Sequence, residues 1–177
     1  GIVHRIDKET SGLLVVAKSD AAHQGLAKQF EAHSVERYYR AVVYGVPDAN
    51  DPRLRGIKGT SFEPGNILKL TTQLARHKTD RQKQAVLFHG GRHAVTRAHM
   101  AHAGHGLVGD PTYGGKRKLA KAALPEATAD AVRAFDRQAL HAAVLGFEHP
   151  VSGDRMRFEA PLPQDMADLL EIMRKSA

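Results

Sequence analysis

The sequence predicts an α+β fold in which a mixed, largely antiparallel central sheet is flanked by helices. Helix-type and strand-type patterns follow one another without the regular βαβ alternation that is typical of doubly wound proteins. Residues 144–160 have a hairpin pattern, which pairs two strands antiparallel. The length of 177 residues fits one domain with an ordinary buried core.

The first part of the chain predicts a strand, a helix and a second strand. Residues 12–17 form a short apolar run rich in branched side chains, which is typical of a buried strand. Ser19 and Asp20 can cap a following helix, whose buried face would carry Ala22, Leu26 and Phe30. Residues 35–46 then predict a strand rich in Tyr and Val.

The second part predicts a loop, a strand, a helix, a hairpin and a final helix. Residues 48–65 contain several Pro and Gly and favour a loop, whereas residues 67–74 alternate with the period of a strand. Residues 120–143 favour a helix that Pro125 interrupts. The predicted hairpin strands flank residues 149–154, and the last helix opens at Pro163.

Composition excludes several classes of protein. The chain has no Cys, which excludes a disulfide scaffold, a thiol nucleophile and a thiolate metal site. No apolar run is long enough to span a membrane, and no secretory signal pattern is visible. These features predict a cytoplasmic protein.

The positive charge is concentrated in one segment. The formal net charge is +7, and residues 76–118 contain nine Lys or Arg against two acids, which equals the whole excess. Such a segment attracts polyanions because phosphate contacts release counterions, although a solvated basic surface is the alternative interpretation. The residues predicted to contact nucleic acid are Arg76, Lys78, Arg81, Lys83, Arg97, Lys116 and Arg117.

Two further segments could carry chemistry. Asp7 lies between Arg5 and Lys8, and these cations would keep its carboxylate ionised, as a nucleophile or general base requires; a turn aspartate is the alternative. His99, His102 and His105 have a spacing that suggests a metal site, but Gly104 and Gly106 oppose one helix through all three. Solvated or phosphate-facing histidines are the competing interpretation. The Gly-rich residues 106–115 match neither a P-loop nor a dinucleotide fingerprint.

Five ordered segments together resemble the RNA pseudouridine synthases of the ribosomal large-subunit type. Residues 1–18, which contain His-Arg-Ile-Asp and Thr-Ser-Gly, are similar to the family's signature motif. The remaining segments follow in the family's order: Arg37-Tyr-Tyr-Arg-Ala41, Ala75 to Arg81, His102 to Gly115, and Gln138 to Ala142 with Phe147 to Pro150.

The resemblance implies an isomerase that converts specific uridines of RNA, most simply 23S rRNA, into pseudouridine as a monomer without a cofactor or metal. It implies that Asp7 is the catalytic carboxylate, which either attacks C1′ or removes the C2′ proton. Tyr39 would pack against the target base and assist proton transfer at C5. Arg5 would pair with Asp7 or fill the space that the extruded nucleotide leaves. Extruding a uridine costs a few kcal/mol, which contacts to the RNA backbone can offset.

The sequence departs from the family at residues 91–97, which read Gly-Arg-His-Ala-Val-Thr-Arg in place of the usual Gly-Arg-Thr-His-Gln-Ile-Arg. We therefore expect residues 1–177 to be a partial catalytic domain with an internal gap near residues 97 and 98. The family's first strands and its S4-like RNA-binding module are expected to be missing before Gly1. Two alternatives remain open: a catalytically inactive RNA-binding module, and a metal hydrolase built on the three histidines.

Overall fold

The computed structural model describes residues 1–46, 48, 60–63, 67–70, 73–76, 84–87, 92–93, 96–114 and 124–175. The chain divides into two units. The first unit comprises residues 1–41 and 140–175, and the second comprises residues 42–139. None of the helices within the described ranges is long and apolar enough to cross a membrane.

Nine strands and four helices are defined in the described part of the chain. The strands are β1 (Ser11–Gly12), β2 (Glu36–Ala41), β3 (Thr60–Glu63), β4 (Ile67–Leu70), β5 (Gln73–Arg76), β6 (Gln84–Leu87), β7 (Arg92–His93), β8 (Leu140–Glu148) and β9 (Arg155–Glu159). The helices are α1 (Asp20–Glu31), α2 (Thr96–His102), α3 (Glu126–Ala134) and α4 (Gln164–Lys175).

Strand β8 is the centre of the sheet in the first unit. Strand β2 runs antiparallel along one side of it, while β1 and β9 also pair with it, β1 parallel and β9 antiparallel. Eight of the nine residues of β8 are buried or half-buried, as expected for a central strand. The predicted α+β class with a mixed, largely antiparallel sheet is confirmed.

Helix α1 closes the core of the first unit. The Ser19 hydroxyl accepts a hydrogen bond from the amide of Ala22 at 3.2 Å, which satisfies one of the free donors at the helix start. Leu26 is buried with Leu145 and Phe147 of the central strand, and Phe30 packs against this cluster. The capping residue and the buried face were both predicted correctly from the sequence.

The structure corrects several predicted strand boundaries. Of the strand predicted at 12–17, Gly12 belongs to β1 and Val16 forms an isolated bridge with Ile2. The strand is interrupted because Gly12 takes φ +107°. Strand β2 ends at Ala41, short of residue 46. The single strand predicted at 67–74 contributes to two strands, β4 and β5, which pair with different partners.

The other element boundaries lie at Pro residues or at the ends of the hairpin strands. Helix α3 begins directly after Pro125, and residues 140–143, predicted as helix, belong to β8 instead. The hairpin of β8 and β9 and the helix after Pro163 are confirmed. Most of the loop predicted at 48–65 lies outside the described residues, although residues 60–63 form β3.

The second unit contains two separate small sheets. Strands β3 and β4 form a hairpin, and β5 lies between β6 and β7 in a three-stranded sheet. Helix α2 follows β7 in the chain and leads into the glycine-rich segment 103–114. Leu107 and Val108 of that segment are fully buried, so it is part of the core of this unit.

Candidate active site

Asp7 opens a tight turn that leads directly into β1. The amide of Thr10 donates a hydrogen bond to the carbonyl oxygen of Asp7 at 3.0 Å, and Glu9 adopts φ +70° within the turn. A left-handed conformation costs a residue other than glycine about 1–2 kcal/mol, so the surroundings must stabilise this turn. The backbone of Asp7 is therefore held in place while the residue itself is exposed.

Gly12 allows β1 to approach β8 closely. At φ +107°, any added Cβ would overlap the carbonyl oxygen of Ala142, so glycine is required both by the backbone conformation and by the space available. The amide of Leu13 donates to that same carbonyl oxygen at 3.0 Å. These contacts fix the chain that follows Asp7 against the central strand.

Tyr39 reaches the same region from the other side of β8. Ala142 is the register partner of Gly12 in β1 and of Tyr39 in β2, so the two residues flank one position of the central strand. The register between β2 and β8 shifts between Tyr38 and Tyr39, an irregularity of the kind that redirects side chains near functional sites.

The electrostatics of Tyr39 connect it with Asp7. Burial raises the pKa of the Tyr39 phenol, the nearby Arg37 guanidinium opposes that shift, and the negative charge of Asp7 adds to it. The net result is a raised pKa, so the phenol keeps its proton at neutral pH. The structure thus brings Asp7 and Tyr39, two of the predicted catalytic residues, into one electrostatic environment.

Arg5, the third predicted catalytic residue, is exposed between His4 and Ile6 in the same segment. His4 itself is half-buried, stacks on Phe30 with ring centroids 4.5 Å apart, and accepts a hydrogen bond from the amide of Val15 at its Nε2 atom. This structural role of His4 was missed by the sequence reasoning. Its position in the signature motif was the available signal.

Strand β2 presents three exposed side chains that were not predicted from the sequence to bind RNA. Arg37 and Arg40 are exposed, and Tyr38 keeps 60% of its surface accessible. The Arg37 guanidinium lies over the ring of Phe30, 5.6 Å from its centroid. We refer to Arg37, Tyr38 and Arg40 as the β2 basic strip.

Arg97, which was predicted to bind RNA, has a different environment in the structure. It is 8% exposed, and its guanidinium donates two hydrogen bonds of 2.6 Å to the two carboxylate oxygens of Asp110. A guanidinium held in this way has little surface left for a phosphate, so Arg97 is not among the proposed RNA contacts. The basic residue serves the packing of the second unit instead.

The other predicted RNA contacts fall largely where the structure gives no description. The backbone of Arg76 lies in β5, and nothing further is described for its side chain. The remaining predicted contacts lie outside the described residues: Lys78, Arg81, Lys83, Lys116 and Arg117.

The histidines considered for a metal site do not form one in the described part of the chain. His105 is buried, and its Nδ1 atom is 2.9 Å from the carbonyl oxygen of Tyr44, to which it can donate. No group of three His, Cys, Asp or Glu residues that could hold a metal ion is found among the described residues. The geometry therefore gives no support to the hydrolase alternative.

The site combines an exposed aspartate on a tight turn with a protonated tyrosine on a mixed sheet. The fold and the site together describe an α+β protein with a carboxylate site. Solved structures with this fold include human RNA pseudouridylate synthase domain containing 4, with TM-score 0.60 and 17% sequence identity over 98% of this chain and 75% of that chain. The structure of human RNA pseudouridylate synthase domain containing 1 has TM-score 0.50 and 21% sequence identity, over 98% of this chain and 80% of that chain.

The sequence model of the RNA pseudouridylate synthase family matches residues 1–134. The chain belongs to that family, as its signature motif suggested.

Curated relatives extend the match over nearly the whole chain. Ribosomal large subunit pseudouridine synthase D of Zymomonas mobilis is 42% identical over 200 residues, which include 98% of this chain and 56% of that protein. The protein of the same name from Escherichia coli K12 is 39% identical over 98% of this chain and 56% of its own length. The chain thus spans a little more than half the length of these relatives.

Proposed function

We propose that this protein isomerises specific uridines of RNA to pseudouridine. The observation that carries the proposal is the arrangement around β8, where Gly12, which follows the Asp7 turn, and Tyr39 pair with Ala142 from opposite sides, and the charge of Asp7 acts on the Tyr39 phenol. Family membership supports the same reaction.

The reaction is an internal rearrangement that needs no added reactant. The bond between N1 of the base and C1′ of the ribose breaks, the base turns, and a bond forms between C5 and C1′. The hydrogen on C5 leaves as a proton while N1 gains one, so atoms and electrons balance. In this proposal the Asp7 carboxylate acts on the ribose, either as a nucleophile at C1′ or as a base toward the C2′ proton.

Tyr39 and Arg5 have supporting roles in the proposed site. A phenol with a raised pKa is a poor base but remains a hydrogen-bond donor, so Tyr39 is suited to packing against the detached base and donating to it. Exposed Arg5 lies two residues from Asp7, where it can pair with that carboxylate or occupy the space vacated by the nucleotide.

We propose that the RNA contacts the β2 basic strip, whose side chains alternate between the two faces of the strand. A uridine must leave its stack before its glycosidic bond can be reached, which costs a few kcal/mol. Arg37 and Arg40 can hold phosphates, and an exposed aromatic ring such as Tyr38 can stack on an unpaired base. We propose that the RNA crosses this strip, and that the basic residues predicted in segment 76–118 other than Arg97 add further contacts.

The names of the curated relatives support a large-subunit ribosomal RNA, 23S rRNA, as the substrate. We propose that the protein acts on it in the cytoplasm as a monomer. We also propose that residues 1–177 are part of a catalytic domain with an internal gap near residue 97. The alignment with the Zymomonas relative is 200 residues long, although it includes 98% of a chain of only 177 residues. The relative therefore has residues within the alignment that this chain lacks, which supports the proposed gap.

Replacing Asp7 tests the proposed chemistry. The variant Asp7→Asn keeps the shape of the side chain but removes the carboxylate, so we expect isomerisation to fall by at least about 1,000-fold, since covalent and acid–base catalysis both depend on it. Affinity for RNA should stay within a few-fold. Pseudouridine formed in single-turnover reactions is the measurement, and Asp20→Asn, which alters an exposed aspartate of α1, is the control. Wild-type activity in Asp7→Asn would refute the assignment.

A further inference from the structure

A hydrogen-bonded pair of a half-buried serine and a buried histidine joins the segment after Asp7 to the central strand. The Ser11 hydroxyl lies 3.0 Å from Nδ1 of His141 and 3.3 Å from the carbonyl oxygen of Leu140. His141 is 2% exposed, and its Nε2 atom is 3.3 Å from the carbonyl oxygen of Ala160. The three groups connect β1, β8 and the chain just after β9.

The hydrogen-bond partners determine how the neutral His141 ring is protonated. The carbonyl oxygen of Ala160 can only accept a hydrogen bond, so Nε2 must carry the hydrogen in order to bond to it. Nδ1 is then an acceptor, and the single hydrogen of the Ser11 hydroxyl is shared between Nδ1 at 3.0 Å and the more distant carbonyl oxygen of Leu140 at 3.3 Å. Each side chain is thereby fixed in orientation by the other.

The pair acts at the end of the segment that carries Asp7. Strand β1 has only two residues, and the second of them, Gly12, takes φ +107°. Ser11 comes directly after Thr10, whose amide closes the turn of Asp7. Holding Ser11 against His141 therefore fixes the end of the turn whose beginning carries the carboxylate.

We infer that Ser11 and His141 are positioning residues that hold the Asp7 turn in its reactive orientation. The inference rests on the proposed function, because it gives Asp7 the catalytic role. The pair does not touch the reacting atoms in this account; it acts through the backbone between residues 7 and 11. Small displacements of a catalytic group lower the rate of the chemical step far more than the binding of substrate.

The primary test is Ser11→Ala, which removes the hydroxyl and leaves the buried ring in place. We expect kcat to fall about 10- to 100-fold while the Kd for RNA changes less than about two-fold. Ser11→Thr retains the hydroxyl and should recover most of the activity. His141→Asn retains an acceptor near the Nδ1 position and should fall between wild type and Ser11→Ala, which guards against an interpretation based on folding alone.

A second serine–histidine pair supplies a matched control. The Ser152 hydroxyl lies 3.0 Å from Nδ1 of His149 in the exposed turn between β8 and β9. Ser152→Ala removes a serine–histidine contact from the same unit, together with the bond that the Ser152 hydroxyl donates to the Asp154 carboxylate, without touching the Asp7 turn. Its kcat should equal that of the wild type.

Amide hydrogen exchange separates this inference from the proposed function. In Ser11→Ala we expect the amides of Thr10 and Leu13 to exchange roughly 10-fold faster than in the wild type, whereas those of the β8–β9 pairs should be unchanged. If exchange is faster in Ser11→Ala but the wild-type chain has no isomerase activity, the proposed function is refuted, whereas the role of the pair in holding the turn stands. Unchanged exchange, or an unchanged kcat in an active chain, would overturn the positioning role.

Discussion

His4 shows how a residue in the signature motif can support the site without taking part in the chemistry. Its Nε2 atom accepts from the amide of Val15 at 3.1 Å, which requires that nitrogen to be unprotonated. Burial lowers the pKa of His4, and the nearby positive charge of Arg37 lowers it further. The neutral ring on Phe30 thus ties the residues before Asp7 to the core.

The lowered pKa predicts a specific dependence of stability on pH. Below the unfolded pKa of about 6.5, the unfolded chain takes up a proton at His4 before the folded chain does, so the free energy of unfolding falls as the pH drops. His4→Gln retains an acceptor that does not titrate, and its free energy of unfolding should fall less between pH 7.5 and 5.5. Urea denaturation at both pH values measures this. Equal losses in wild type and variant would contradict the role of His4.

The ion pair of Arg97 and Asp110 organises an element of the second unit, the loop that follows α2. Besides the two bonds from Arg97, the Asp110 carboxylate accepts hydrogen bonds from the amides of Thr112 and Tyr113 at 2.8 and 3.0 Å. Burial alone would raise the pKa of Asp110, but these hydrogen bonds outweigh it and lower the pKa. The pair therefore stabilises the fold above the pKa of an unfolded aspartate, and this stabilisation is lost in stronger acid.

Removing one partner should be costly because the other charge stays buried. We expect Asp110→Ala to lower the free energy of unfolding by about 3–5 kcal/mol. The control is Asp130→Ala on α3, where Asp130 and Arg133 form an exposed ion pair whose loss should cost less than about 1 kcal/mol. Chemical denaturation measures both values. Equal costs at the two sites would show that the buried pair contributes no more than the surface one.

Local sequence patterns predicted the elements that depend on neighbouring residues. Ser19 and the apolar spacing of Ala22, Leu26 and Phe30 defined α1 because capping and amphipathicity act within a few turns. The strand predicted at 67–74 was wrong as a single element, since its alternation does not reveal that its two ends pair with different strands. Pairing partners are a tertiary property.

The site itself was predictable only in part for the same reason. Asp7 and Tyr39 were identified from the resemblance of their motifs, whereas no local pattern relates Ser11 to His141, which lies 130 residues further along the chain. The sequence also assigned Arg97 to RNA on the basis of its charge. The burial of Arg97 depends on its ion pair with Asp110. A count of charges includes Asp110 only as one negative charge and does not show that the two residues pair.

At the scale of the whole molecule, a net charge of +7 predicts binding to RNA that weakens as salt concentration rises. Each phosphate contact to single-stranded RNA contributes about 0.7 to the slope of log Kd against log salt concentration. Arg40→Gln in the β2 basic strip should reduce that slope by about this amount and weaken binding several-fold. Arg174→Gln, which removes an exposed charge from the last turn of α4, is the control. If both variants keep the wild-type slope, RNA does not contact Arg40.

The release of tritium from RNA that contains 5-tritiated uridine reports the isomerisation itself, because the new bond to C1′ forms at C5 and expels its hydrogen. We expect the wild-type chain to release tritium in proportion to the pseudouridine formed, and Asp7→Asn to release none above background. A wild-type chain that binds RNA in a salt-sensitive manner but releases no tritium would contradict the isomerase function and identify an inactive RNA-binding module.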